Sequence, residues 1–161
     1  MNKIPTGKSI AESGTFFSIN SKAQKEQLTW YTNLDEASSV SAKTNKPLML
    51  FFTGSDWCGW CIRLQKEVFL TPEFKKWATD KVVLVDVDFP KDRSKQSTAL
   101  QNQNALLGKQ YAIQGYPTIV FVAASTSPSK AGFQYDKLGQ SGYMQGGPSV
   151  WTSNANTFLR K

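Results

Sequence analysis

Leu48-Met49-Leu50-Phe51-Phe52-Thr53-Gly54-Ser55-Asp56-Trp57-Cys58-Gly59-Trp60-Cys61-Ile62-Arg63-Leu64 is the stretch on which the fold turns. Its first five residues, entered through Pro47, form an unbroken apolar run of strand length, the pattern of a strand buried on both faces. Thr53 to Asp56 interrupt the run. Trp57 to Cys61 lead into Ile62 to Phe69, where the spacing is helical, with Cys61, Leu64 and Val68 on one face by the i, i+3, i+7 rule. The cysteines therefore stand on the first turn of a helix that follows a strand, at a spacing that brings two sulfurs within disulfide reach. A bridge closing so short a loop restrains little of the unfolded chain, so ready opening and closing explains the pair better than stabilisation does. Unpaired N–H groups and the helix dipole favour a thiolate at the helix start. That predicts Cys58 as an exposed nucleophile and Cys61, on the apolar face, as the less accessible resolving thiol.

Outward from this centre the chain alternates strand and helix. On the N-terminal side, Leu28 to Thr32 reads as a short strand, and Asn33 as the cap of a helix carrying Leu34, Ala37, Val40 and Ala42. On the C-terminal side, Thr71-Pro72 starts a helix ending at Lys81, with Phe74 and Trp77 as buried contacts. Val82 to Asp88 reads as a second interior strand with acids near its exit. A helix over Thr98 to Tyr111 carries Leu100, Leu106 and Leu107, and Gly115-Tyr116-Pro117 precedes a third strand over Thr118 to Val122. Ser125 to Lys130 is predicted as a turn, Gly132 to Leu138 as a weaker edge strand, Gly139 to Gly147 as a connector in preference to a flexible loop near the site, and Val150 to Leu159 as a closing helix. Residues 1–25 are polar and non-periodic, with Phe16, Phe17 and Ile19 as anchors, and read as a loosely ordered extension ahead of one domain over 26–161.

Composition narrows the chemistry. The chain has 161 residues and no histidine, which excludes Ser-His and Cys-His mechanisms and His-ligated metal sites built from this chain alone. Its two cysteines are left to carry most of the unusual chemistry. Nineteen Lys and Arg against twelve Asp and Glu give +7, but the basic residues are scattered among acids without an Arg-rich stripe, so no nucleic-acid partner is expected. The longest apolar run, Ile119 to Ala124, is six residues, far below the roughly 20 that cross a bilayer, so no direct membrane insertion is expected.

Phe51 to Cys61, together with Gly115-Tyr116-Pro117-Thr118, resembles the thioredoxin superfamily over roughly Leu28 to Leu159. Thr53-Gly54-Ser55-Asp56-Trp57-Cys58, with Asp88-Phe89-Pro90 after the next strand, is similar to the bacterial periplasmic thiol:disulfide interchange proteins of the DsbH and DsbD C-terminal-domain kind. The resemblance implies an α/β, thioredoxin-like fold, a central mixed β-sheet flanked by helices on both faces. It also implies a cis Pro117 facing the Cys58/Cys61 pair, with the Tyr116 backbone free to pair with an extended substrate. Cys58 and Cys61 are then the catalytic residues, and Trp57, Gly59, Trp60, Tyr116 and Pro117 the substrate-binding ones. Metal and cofactor are not called for. The implied function is a thiol-disulfide oxidoreductase acting chiefly as a reductase of protein or peptide disulfides, reset by a membrane electron donor of the DsbD type. A monomer is expected, in the periplasm with the export signal missing from the sequence as given, the alternative being cytoplasmic.

Departures from the family pattern lie at the proton-handling positions. Many thioredoxins carry a buried Asp six residues before the nucleophile, where Phe52 stands here, and a paired Lys, which falls near Leu84. That leaves Asp56, Glu67 or water as the base for Cys61. Trp60 supplies no positive charge to the Cys58 thiolate, which favours reductase over oxidase. The competing readings are a disulfide oxidase or isomerase, a non-catalytic thioredoxin-fold binding module, and a module in which two chains each give two cysteines to a bridging metal. Thr6-Gly7-Lys8-Ser9 imitates the end of a phosphate loop without its first glycine or a preceding strand. Asp86, Asp88 and Asp92 lack calcium-loop spacing and are expected to cap a strand end and face water.

Overall fold

The computed structural model describes residues 27–159. The extension over 1–25, with its aromatic anchors and the Thr6-Gly7-Lys8-Ser9 motif, lies outside the described residues. Among those described, five strands form one mixed sheet: β1 (Trp30–Tyr31), β2 (Leu48–Thr53), β3 (Val83–Asp88), β4 (Thr118–Ser127) and β5 (Lys130–Ser141). Their order is β1-β3-β2-β4-β5, with β1, β3 and β2 mutually parallel and β4 and β5 antiparallel to their neighbours.

The helices are α1 (Leu34–Thr44), α2 (Gly59–Leu64, continuing as a π-helical turn over Gln65–Phe69), α3 (Pro72–Lys81), α4 (Thr98–Gln110) and α5 (Gly147–Leu159). Local chemistry sets their ends. Asn33 caps α1 by accepting from the Glu36 N–H at 2.8 Å, and Asn45 closes it in the left-handed conformation, φ 59°. Thr71 caps α3 ahead of Pro72, whose missing N–H costs nothing on a first turn.

β2 is buried along its whole length, as expected of a strand covered on both sides. Alternation sends Met49 and Phe51 into one core layer with Cys58, Cys61, Leu64, Phe74, Leu84, Ile119, Phe121 and Trp151. Leu48, Leu50 and Phe52 enter the opposite layer with Ala37, Val85, Val87, Leu107 and Val120. Helices α2, α3 and α5 thus cover one face, and α1 and α4 the other, the fold class the sequence implied. No described helix is long and apolar enough to cross a membrane.

Three local expectations are corrected. The tract from Ser125 to Lys130 is not a turn throughout: β4 continues to Ser127, β5 starts at Lys130, and the pair extends beyond the core as a hairpin, with Thr126 opposite Phe133 and Ala124 opposite Tyr135. Its polar residues are those of strands that face solvent. Leu106 is 67% exposed, because α4 turns Asn104 and Leu107 inward instead. Asn104 is accommodated there by donating to the Asp88 carbonyl at 3.0 Å. The closing helix begins at Gly147, ahead of Val150.

Trp151 is fully buried and meets the rings of Phe69, Phe74, Trp77 and Phe121. Trp151→Ala is expected to cost about 3–5 kcal/mol of folding stability, read as a lowered urea midpoint.

Candidate active site

The chain leaves β2 at Thr53 and turns through Gly54. The carbonyl of Gly54 accepts from the N–H groups of Trp57 (3.3 Å) and Cys58 (2.9 Å), which folds the turn back on itself. A Cβ on Gly54 would lie 2.2 Å from the Trp57 indole, so only glycine lets that ring settle over the backbone. Trp57 then donates its indole N–H to the Phe89 carbonyl at 2.8 Å and meets the Tyr116 ring edge-on at 5.4 Å. Ser55 donates through its backbone N–H and its hydroxyl to Asp88, at 2.8 and 2.5 Å. Asp56 accepts from the backbone N–H groups of Lys91 and Asp92, at 2.9 and 3.0 Å. Ser55 is thereby tied to the last residue of β3, and Asp56 and Trp57 to the segment that follows it.

Cys58 caps α2, and its Sγ accepts from the Cys61 N–H at 3.2 Å. The two cysteines form a disulfide across the first helical turn, with Cα atoms 5.3 Å apart. Cys61 is fully buried, as its place on the apolar face predicts, but Cys58 is only 5% exposed. The expectation of an exposed Cys58 is therefore corrected for this oxidised form: its sulfur is bonded to a buried partner, and its backbone is drawn in by the Gly54 carbonyl.

The substrate-binding candidates divide into two groups around the disulfide. Trp57 (40% exposed) and Tyr116 are locked together with Phe89. The Tyr116–Pro117 bond is cis, Thr118 donates to the Gly115 carbonyl at 2.7 Å, and β4 follows at once. Trp60 (54% exposed) is separate from that group and stands against Tyr143. Gly59 borders open space, with nothing within 4 Å of where its Cβ would be. The segment from Gly139 to Gly147 is not a mere connector, since it ends β5 and then presents Tyr143 beside the cysteine helix.

The proposed bases for Cys61 fare differently. Asp56 is held below the ordinary carboxylate range, first by the Lys91 N–H and then by the Asp92 N–H. Glu67 is likewise lowered, by the Tyr143 hydroxyl and then by Arg63. Both carboxylates are committed to structural partners, which makes them weak proton acceptors. Phe52 faces away from the cysteines, into the opposite core layer, while Leu84 is an apolar core residue in register with Met49. On the cysteine side the corresponding β2 residue is Phe51, and its register partner on β3 is Asp86.

Asp86 is the residue the sequence reading misplaced. It lies on the face of β3 that also carries Leu84, against the layer holding Cys61, and does not simply face water. Desolvation first, and the neighbouring Asp88 second, push its carboxyl up to about 6. Among the described residues, its Oδ1 and the Thr53 Oγ1 are the buried side-chain oxygens without a hydrogen-bond partner. The register places both on one face of adjacent strands, because Thr53 pairs with Asp88, two residues beyond Asp86. An acid interrupting an otherwise β-branched strand was the available signal, read there as a strand exit.

The profile of the thioredoxin-like domain family matches residues 34–132. The disulfide bond reductase DsbH of Chlamydia pneumoniae is 34% identical over 125 residues, covering 78% of this chain and 69% of that protein. The thioredoxin-related protein DsbJ of the same organism is 33% identical over 98 residues, 61% of this chain but 28% of DsbJ. A solved DsbH oxidoreductase superposes with a TM-score of 0.72 at 34% identity, covering 83% of this chain and 85% of that one. A thioredoxin from Thermus thermophilus shares the fold at 19% identity and a TM-score of 0.60, over 83% and 88% of the two chains. The chain belongs to the thioredoxin-like family, as a thiol-disulfide oxidoreductase whose redox pair is Cys58 and Cys61.

Proposed function

We propose that the protein reduces disulfides in other polypeptides, with Cys58 as nucleophile and Cys61 as resolving thiol. The observation that carries this reading is the Cys58–Cys61 disulfide closed over the first turn of α2, with one sulfur at the helix cap and the other fully buried. In the reduced pair, Cys58 as thiolate attacks one sulfur of the substrate disulfide. A mixed disulfide forms, and the first substrate sulfur leaves and takes a proton from solvent. Cys61 then loses its proton and attacks Cys58 Sγ, releasing the second substrate thiol. Two electrons pass from the dithiol to the substrate, and the Cys58–Cys61 bond is restored. A separate dithiol donor must reduce it again. The likeness to DsbH supports a membrane donor of the DsbD type and an extracytoplasmic setting as parts of the same proposal.

Cys61 is fully buried in the disulfide form, which favours a protein group as its proton acceptor. Asp86 is assigned that role: it lies against the same core layer, its unpartnered oxygen has no competing donor, and burial makes it a better base than an ordinary carboxylate. Trp57, Gly59, Trp60, Tyr116 and Pro117 form the surface that meets the substrate, with the Tyr116 backbone pairing with an extended segment.

A titration against defined thiol/disulfide buffers, read by alkylation and intact mass, tests the direction of the reaction. A potential near or below about −240 mV is expected of a reductase, and one above about −180 mV would make the protein an oxidase or isomerase instead. Cys58→Ser is expected to abolish turnover, and Cys61→Ser to accumulate mixed disulfides; normal turnover by the latter would overturn the two-cysteine scheme.

Resolution of the mixed disulfide is expected to speed up in the wild type as pH passes about 6, and Asp86→Asn to slow it by at least about tenfold and to remove that rise. Stability gives an independent reading. A carboxyl raised from 3.8 to about 6 is unpenalised well below 3.8, where it is protonated whether folded or not, and penalised once both pKa values are passed. Folding stability therefore falls as pH rises through that window, by up to about 3 kcal/mol. Asp86→Asn should flatten this dependence in urea denaturation between pH 4 and pH 8.

A further inference from the structure

Trp60 is more exposed than Trp57, yet it is held from behind by a closed ring of contacts. The Tyr143 ring lies 5.0 Å from its centroid at 57°. The Arg63 guanidinium carbon is 5.1 Å from the Trp60 ring and 5.4 Å from the Tyr143 ring, so the cation spans both. Arg63 Nε donates to Glu67 Oε2 at 2.7 Å, and the Tyr143 hydroxyl donates to Glu67 Oε1. Trp60, Arg63 and Glu67 follow one another along the same helical face. Tyr143 arrives from the segment after β5, and that segment is itself pinned. The Gly142 carbonyl accepts from the buried Trp151 indole at 3.0 Å, and a Cβ on Gly142 would approach the Pro117 carbonyl to 3.3 Å.

Solvent-exposed ion pairs and cation–π contacts contribute little to folding, so stability is a weak reason for this arrangement. Its clearer effect is to fix an exposed indole beside the disulfide before anything binds. Trp57, Trp60 and Ile62 are three of the large hydrophobic residues left exposed, and they fall within six positions around a Cys58 that is only 5% exposed. A small disulfide gains little from that apolar surface. A polypeptide can lay an apolar side chain on it while presenting its disulfide to Cys58. A rigid indole also has little freedom left to lose on binding.

We propose that Tyr143, Arg63 and Glu67 are positioning residues that hold Trp60 as a preformed platform for an apolar side chain next to the substrate disulfide, so that polypeptide disulfides are preferred over small-molecule ones. This rests on the reductase reading above and adds the residues that set its preference for polypeptides.

The test compares insulin and glutathione disulfide as oxidised substrates for the full chain. For Tyr143→Ala, KM for insulin is expected to rise roughly 3- to 10-fold, with kcat within about twofold. The kcat/KM for glutathione disulfide and the Cys58–Cys61 potential are expected to stay within about twofold and a few millivolts of the wild type. Tyr143→Phe keeps the ring and loses the bond to Glu67, and Arg63→Lys keeps the charge and loses the planar stack. Both should move the insulin KM in the same direction by less, and they carry the test if Tyr143→Ala fails to fold. Equal losses on both substrates, or an unmoved insulin KM, would overturn the proposal. A wild type that reduces neither substrate would instead refute the reductase reading itself.

Discussion

Strand β2 lies between β3 and β4 and between two helical layers, with each residue from Leu48 to Thr53 buried. Under that constraint the side chains have fixed destinations, and a slip of one residue would exchange the two core layers. The exit of the strand is fixed with them. The chain emerges at Gly54 pointing towards the end of β3 and the segment after it, where Asp88, Phe89 and the Lys91 and Asp92 amides receive Ser55, Trp57 and Asp56 in turn. The position of Cys58 is thus set by strand pairing, and the helix it caps brings Cys61 one turn on to close the sulfur bridge.

The same register explains an uneven distribution of polarity. The layer beneath α2, α3 and α5 is dominated by aromatic rings meeting at Trp151 and Phe69, yet the end of that face nearest the cysteine turn carries Thr53, Asp86 and Asp88. Asp88 is satisfied by Ser55, whereas Asp86 keeps a buried oxygen without a partner. A protein selected for stability alone would fill that position with an apolar side chain. A carboxyl left partly unsatisfied beside a dense aromatic core is a local cost that the packing of the core offsets.

Much of this was legible in the residues. The apolar run of β2, the helical spacing after Trp57 and the cysteine interval fixed the strand–turn–helix, because each depends on local periodicity. Asn33 and Thr71 announced their helices for the same reason. The hairpin tails of β4 and β5 were not legible, since strands paired with each other outside the core lack an apolar face. Nor was the placement of Asp86. Counting back from Cys58 leads to Phe52, but strand pairing turns that residue away and brings Phe51 and Asp86 to the cysteine side. Tyr143 was hidden by its distance in sequence, 76 residues from Glu67, in a glycine-rich tract that reads as a connector.

The open space at Gly59 bears on how such a protein can change. A residue between the cysteines can gain a side chain there without repacking anything, while its neighbour Trp60 is bound into a network that a substitution would dismantle. The two positions of the dipeptide are therefore unequal in evolutionary terms. One can vary without disturbing the fold, and the other is tied to Tyr143 and Arg63, so the chain tolerates change at the first far more readily than at the second.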